Sequence, residues 1–169
     1  CVKIFIEELK KSSDFDFMTA SFCESMIKAA PMHDLGKIAV DDAILRKPGK
    51  FTDEEYEIVK QHPVIGGDIL KTIESMPEVS LGARWHHERF DGNGYPDHLK
   101  GNDIPEIARI IGVADSYDAM TSNRSYRKYL PQDVVRAEIE KGKGTQFDPV
   151  IAEKMLEIID SDKEYKFHE

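Results

Sequence analysis

The chain has 169 residues, a net charge of -9 and 40% hydrophobic residues. That length fits one domain, no apolar run approaches the ~18 residues of a spanning helix, and no recognisable signal peptide opens the chain. The acidic balance excludes binding long nucleic acid by general attraction, which draws on many Lys and Arg side chains. A small phosphate ligand stays open, provided bound cations supply positive charge locally. Cys1 and Cys23 form no CxxC pair and no disulfide framework. Reduced thiols in a cytosolic protein are therefore expected.

Apolar spacing is mostly helical. Residues 2–10 read as a helix with Ile4, Phe5 and Leu9 inward, and no N-cap precedes it. A loop over 11–16 leads to a second helix from about Thr19 to Leu35. Pro31 should perturb its last turn, and Gly36 reads as its C-terminal stop. Residues 41–51 read as irregular, with a turn at Lys47-Pro48-Gly49. Thr52 and Glu55 form a capping box that opens a third helix. His62-Pro63 starts a fourth, running to about Ser75, because proline suits a first helical position.

A fifth helix is expected over 78–89 and a loop over 90–103, which is rich in Gly, Asp and Asn. Ile104-Pro105 leads into a long helix to about Ser122, and two more follow near 131–141 and 148–160. The polar tail over 161–169 should fray. No alternating strand pattern stands out. The fold expected is an all-α, single-domain helical bundle of about seven to nine helices.

Four of the six histidines, His33, His62, His86 and His87, fall at predicted helix ends. His33 is followed by Asp34, whose two carboxylate oxygens can bridge a pair of metal ions. A lone histidine is more often a surface or hydrogen-bonded core residue, and His98 and His168 are read that way. Adjacent imidazoles at 86 and 87, beside an apolar segment, call for a common partner. Asp115 follows Ile110-Ile111-Gly112-Val113-Ala114 on a helix. A carboxylate there is costly unless it is paired or coordinates a metal.

Mixed nitrogen and oxygen donors without Cys disfavour a structural zinc site. They suit octahedral iron or manganese, with nickel, cobalt or zinc as other occupants. Two close metals with a bridging carboxylate suit in-line displacement at phosphorus. Asp34 and Lys37 are then the candidate catalytic residues, Lys37 lying one turn after His33 and within reach of a phosphate oxygen.

These residues fall in a series of blocks. They are His33-Asp34-Leu35-Gly36-Lys37-Ile38, Lys47-Pro48-Gly49-Lys50 and His62-Pro63, then His86-His87-Glu88-Arg89-Phe90-Asp91-Gly92-Asn93-Gly94-Tyr95-Pro96. Ala114-Asp115-Ser116-Tyr117-Asp118-Ala119 and Gly144-Thr145-Gln146-Phe147-Asp148-Pro149 complete it. Over roughly residues 26–158 the chain resembles the HD-GYP domain, a bacterial subgroup of the HD phosphohydrolase superfamily.

The resemblance implies a helical fold, a two- or three-metal centre, and hydrolysis of the second messenger cyclic di-GMP to pGpG or onward to GMP. It implies metal ligands at His33, Asp34, His62, His86, His87 and Asp115, with Asp34 bridging. It implies substrate contacts at Lys37, Tyr95, Arg124 and Arg127. The loop carrying Tyr95 is also credited with contacts to GGDEF-domain proteins. Family members usually carry a sensory or receiver domain, which would lie outside these residues.

The family pattern Asp-Arg-Pro-Tyr-Arg is here Asn123-Arg124-Ser125-Tyr126-Arg127, with both arginines kept. The Glu and His that relatives carry ahead of the His-Asp pair would fall before Cys1. On that reading the HD-GYP domain fills residues 1–169 with its first helix truncated, and a third metal would need residues not in this sequence.

Two other functions stand beside the phosphodiesterase reading. One is an HD hydrolase acting on another nucleotide, such as a related cyclic dinucleotide or a nucleoside polyphosphate. The other is a catalytically inactive module that binds cyclic di-GMP or a GGDEF-domain partner. Retention of all six expected ligands and Lys37 favours catalysis.

Overall fold

The computed structural model describes residues 2–123 and 128–166. Among these it has nine α-helices: α1 Val2–Leu9, α2 Ala20–Met32, α3 Asp42–Leu45, α4 Asp53–Val59, α5 His62–Leu70, α6 Pro77–Trp85, α7 Glu106–Thr121, α8 Gln132–Gly142 and α9 Pro149–Ser161. Short 3-10 turns cover Ser13–Phe15, Leu35–Ala39 and Gly101–Asp103. The only β pairing among the described residues is an isolated bridge between Lys143 and Phe147. The all-α expectation stands, and so does the helix count.

Local chemistry explains most helix starts. The Thr19 hydroxyl accepts from the N–H of Phe22, which removes one unpaired donor at the start of α2. The Thr52/Glu55 capping box forms in full at α4. Pro63 lies in the first turn of α5, and Asp148 caps α9 by accepting from Val150 and Ile151.

Several boundaries differ from the sequence reading. In α1 the buried residues are Phe5, Ile6 and Leu9, and Ile4 is 39% exposed. Ile4, Phe5 and Ile6 are consecutive and sweep round more than half a turn. The packing partner therefore chooses the face, and α9 is the main one. Helix α2 ends at Met32, one residue after Pro31, rather than at Leu35. Gly36 lies inside the following 3-10 turn and is not a helix stop.

Residues 42–45 form the one-turn helix α3, held by the Asp41 side chain accepting from the N–H of Ala43. Four residues are too few to carry a periodic signal. Helix α5 stops at Leu70 rather than Ser75, and α6 covers Pro77–Trp85 rather than 78–89. His86 and His87 thus stand just beyond the last turn of α6. The tail is anchored further than a frayed end: Asp162 is buried, and the Tyr165 hydroxyl donates to the carbonyl of Leu130 at 2.7 Å.

Helix α6 packs against α2, α5 and α7, and α8 packs against α9. Phe5, Met26, Ile110, Ile139 and Met155 are fully buried in one core cluster. Each such side chain stabilises the fold by about 1.5–3 kcal/mol through burial. The arrangement brings four element ends to one place. The end of α2 supplies His33 and Asp34, the start of α5 His62, the end of α6 His86 and His87, and the middle of α7 Asp115. No helix among the described residues is long and apolar enough to cross a membrane.

Candidate metal centre

The histidines are oriented by their own helices. His33, His62 and His86 each point ring atom Nδ1 at the carbonyl of the residue three positions earlier, Ala30, Val59 and Ala83. A carbonyl only accepts, so Nδ1 must carry the hydrogen and donate it. In the neutral ring, Nε2 is then left with a bare lone pair. All three Nε2 atoms are buried and without a hydrogen-bond partner in the protein.

All three face Asp34. Its Oδ1 lies 3.2 Å from His62 Nε2 and 4.0 Å from His86 Nε2. Its Oδ2 lies 3.5 Å from His33 Nε2, which in turn is 3.5 Å from Asp115 Oδ1. The two oxygens of one carboxylate therefore address two different imidazole groups. Asp34, His62, His86 and His87 each offer a donor atom within 4.8 Å of the others. Buried lone pairs aimed at a carboxylate repel it unless a cation lies between. This donor set fits divalent metal ions, with the Nδ1–H bonds fixing tautomer and ring orientation.

The charge balance agrees. Burial opposes ionisation of Asp34, but the close approach of His62 and the hydrogen bond from Lys37 outweigh it and hold the carboxyl far below its usual range. Burial likewise opposes ionisation of Asp115, and the nearby His33 ring brings the pKa down. Burial pulls His87 down to about 3, helped by the neighbouring His62. Burial and the other histidines hold His86 well below its ordinary value. Burial also works against a proton on His33, yet Asp115 and Asp34 raise its pKa. His86 and His87 thus stay neutral with lone pairs free, the form a metal takes.

Two glycines let the pieces meet. A Cβ on Gly36 would lie 1.9 Å from the carbonyl oxygen of His62 and 2.6 Å from the nitrogen of Gly66. Only glycine allows the turn after Asp34 to press onto α5. Gly94 plays the same part in the loop after α6, where a Cβ would lie 2.3 Å from the nitrogen of Arg89.

That loop sets Tyr95 against the cluster. The Tyr95 ring stacks on His87 with centroids 4.8 Å apart and planes 24° apart, and its N–H donates to the carbonyl of His87. Lys37 Nζ lies 2.5 Å from Asp34 Oδ2. A cavity of about 330 Å³ opens beside the cluster, with His86, His87, Tyr95 and Asp115 in its wall. The structure thus brings together His33, Asp34, Lys37, His62, His86, His87, Tyr95 and Asp115. Asp115 faces a histidine, not an arginine. Arg124 and Arg127 lie outside the described residues, as does His168, and His98 is exposed in the loop.

Glu88 has a part that the sequence reading left unassigned. It is buried, and its two oxygens accept from the N–H of Asp97 at 2.7 Å and of Leu99 at 3.1 Å. Burial raises its pKa while these two donors pull it down. Asp97 is held in turn by Arg84 and by the indole N–H of Trp85. The carboxylate between His87 and the Tyr95 loop is a clamp on that loop. We expect Glu88→Ala to speed amide hydrogen exchange at Asp97 and Leu99 roughly tenfold to hundredfold, since a hydrogen bond to a charged group is worth about 1.5–3 kcal/mol. Unchanged exchange at both amides would refute the clamp.

Comparison with known proteins agrees with this geometry. The profile of a family described as "HD domain" matches residues 9–151. The chain belongs to the HD domain family. The HD-GYP assignment made from the sequence blocks holds with it. This HD domain is 45% identical over 144 residues to a "Cyclic di-GMP phosphodiesterase" of Thermotoga maritima, covering 83% of this chain and 39% of the relative. It is 42% identical over 135 residues to "3'3'-cGAMP-specific phosphodiesterase 2" of Vibrio cholerae, covering 78% of this chain and 26% of the relative. The chain thus spans well under half the length of these relatives. A solved HDG"Y"P protein of Bdellovibrio bacteriovorus superposes with a TM-score of 0.72 at 15% identity, over 94% of this chain and 50% of the other. At that identity the likeness shows the fold.

Proposed function

We propose that this HD domain is a metal-dependent phosphodiesterase that hydrolyses cyclic di-GMP to pGpG and/or GMP. The observation that carries the reading is the set of three buried, unpartnered Nε2 atoms converging on the two oxygens of Asp34. The name of the Thermotoga relative supports the substrate.

In this reading Asp34, with an oxygen toward each side of the cluster, would help hold two divalent cations, iron or manganese. His33, His62, His86, His87 and Asp115 would supply the remaining donors. Bound cations supply the Lewis acidity for attack of water on a phosphodiester and for charge on the leaving oxygen. Asp34 and the neutral histidines fix where that chemistry occurs. Lys37, half-exposed at the rim, turns its ammonium to a phosphate oxygen and stabilises charge as it develops. Tyr95 closes one wall, and Arg124 and Arg127 take a phosphate of the substrate. The reading extends to a cytoplasmic protein with a sensory or receiver domain elsewhere in its chain, and to the loop over 90–103 as a surface for GGDEF-domain partners.

A second reading, hydrolysis of a related cyclic dinucleotide, is favoured by the similarity to the cGAMP-specific relative. Protein purified anaerobically and assayed for metal content and turnover separates the two. Cyclic di-GMP, 3'3'-cGAMP and nucleoside polyphosphates are compared with iron or manganese bound. The first reading expects cyclic di-GMP to be consumed fastest. Cleavage of nucleoside polyphosphates alone would overturn both, and binding of cyclic di-GMP without turnover in the metal-loaded protein would make the domain a sensor.

A further inference from the structure

We propose that Phe51 and Tyr56 form an aromatic shelf that stacks one purine base of the substrate while its phosphate lies at the His/Asp cluster. The inference rests on the cyclic dinucleotide reading above and names the residues that would grip the base.

Phe51 precedes the cap of α4, and Tyr56 lies one turn into that helix. Phe51 is 37% exposed and Tyr56 46% exposed. With Gly49, Lys50 and Asp53 they line an open cavity of about 600 Å³. The shelf is held rigidly. Glu55 Oε2 accepts both from Lys47 Nζ at 2.6 Å and from the N–H of Thr52 at 2.7 Å. One carboxylate thereby ties down the chain on both sides of Phe51. This gives the Lys47–Lys50 block a role that its sequence alone did not suggest.

The shelf is continuous with the cluster. Tyr56 also lines the cavity whose wall holds His86, His87 and Asp115. Tyr95, whose ring stacks on His87, lines the same cavity. Lys60 Nζ lies over both tyrosine rings, 5.6 Å from the centroid of Tyr56 and 5.5 Å from that of Tyr95. A cyclic dinucleotide carries its bases to either side of its phosphates. A π face beside the cluster, flanked by an ammonium and a carboxylate, matches a purine and its polar edge. Stacking on an aromatic face is indifferent to base identity. The shelf therefore sets affinity for guanine and adenine alike, and any choice between cyclic di-GMP and cGAMP lies elsewhere.

The test compares metal-loaded wild type with Phe51→Leu and Phe51→Trp. Phe51→Leu stays apolar but loses the π face. It should raise KM for cyclic di-GMP roughly tenfold to hundredfold, the scale of one lost base–aromatic stack. Metal content should be unchanged and kcat should stay within about twofold. Phe51→Trp should restore the wild-type KM. By calorimetry GMP and AMP should bind Phe51→Leu more weakly by similar factors, and inorganic phosphate should bind as before.

An unchanged KM, or a loss confined to kcat with falling metal content, would overturn the shelf. If wild type cleaves no cyclic dinucleotide, the functional reading fails, while GMP binding that depends on Phe51 would still uphold the shelf. If wild type turns over and Phe51→Leu matches it in KM and GMP binding, the shelf alone fails.

Discussion

Asp34→Ala is expected to lower phosphodiesterase turnover more than a hundredfold and to strip divalent metal from the protein. Removing groups that merely orient metal ligands costs about 10–100-fold in affinity or activity, and Asp34 faces both halves of the cluster directly. Oδ1 is the neighbour of His62 and His86, and Oδ2 that of His33 and Lys37. Without it, one cavity would hold several imidazoles and a lysine with a single carboxylate, Asp115. Asp34 is itself partly exposed, so the helical fold should persist. Metal analysis of the anaerobic protein, circular dichroism and turnover are measured together. Retained metal with retained turnover would remove Asp34 from the centre. A lost circular dichroism spectrum would instead make its role structural.

Gly36→Ala should be nearly as damaging without touching a donor atom. The added Cβ would lie 1.9 Å from the carbonyl oxygen of His62 and 2.6 Å from the nitrogen of Gly66. Both obstacles are backbone, so no rotamer change relieves the clash. Helix α5 would have to move away, and the 3.2 Å approach of His62 to Asp34 would open. Overpacking usually costs about 1–3 kcal/mol and occasionally more, and a backbone-on-backbone clash belongs at the upper end. For a domain of this size that lowers Tm by roughly 6–12 °C. Differential scanning calorimetry with and without metal checks this, and metal affinity should fall in the same variant. A wild-type Tm and wild-type metal content would mean that the approach of the two segments is not what positions His62.

The loop over 90–103 connects these two results to what a sequence can disclose. Its composition marks it as a loop, and its motif marks it as functional. The way it is held could not be read. Glu88 bonds the N–H groups of Asp97 and Leu99, nine and eleven residues away. Nothing within a few residues of Glu88 points to those two partners. Gly36 lies inside a 3-10 turn rather than at a helix stop for a related reason. The same residue serves as a helix stop and as a point of close approach, and only the position of α5 tells them apart.

What the sequence determined by itself is local or compositional. The capping box at Thr52 and Glu55, the proline in the first turn of α5 and the long helical pattern before Ser122 depend on hydrogen bonds and spacings within a few residues. The pairing of His33 with Asp34 and the ordered blocks around His86, His87 and Asp115 were legible in the same way, as residue types at fixed intervals. The tertiary structure alone decided which face of α1 is buried, because Ile4, Phe5 and Ile6 span too wide an arc for periodicity to choose. It also decided that the two oxygens of Asp34 look toward different histidines. That division depends on contacts between Asp34 and side chains as far off as His86, through three helix ends and a glycine contact. Such contacts arise from packing the whole chain, and no local pattern encodes them.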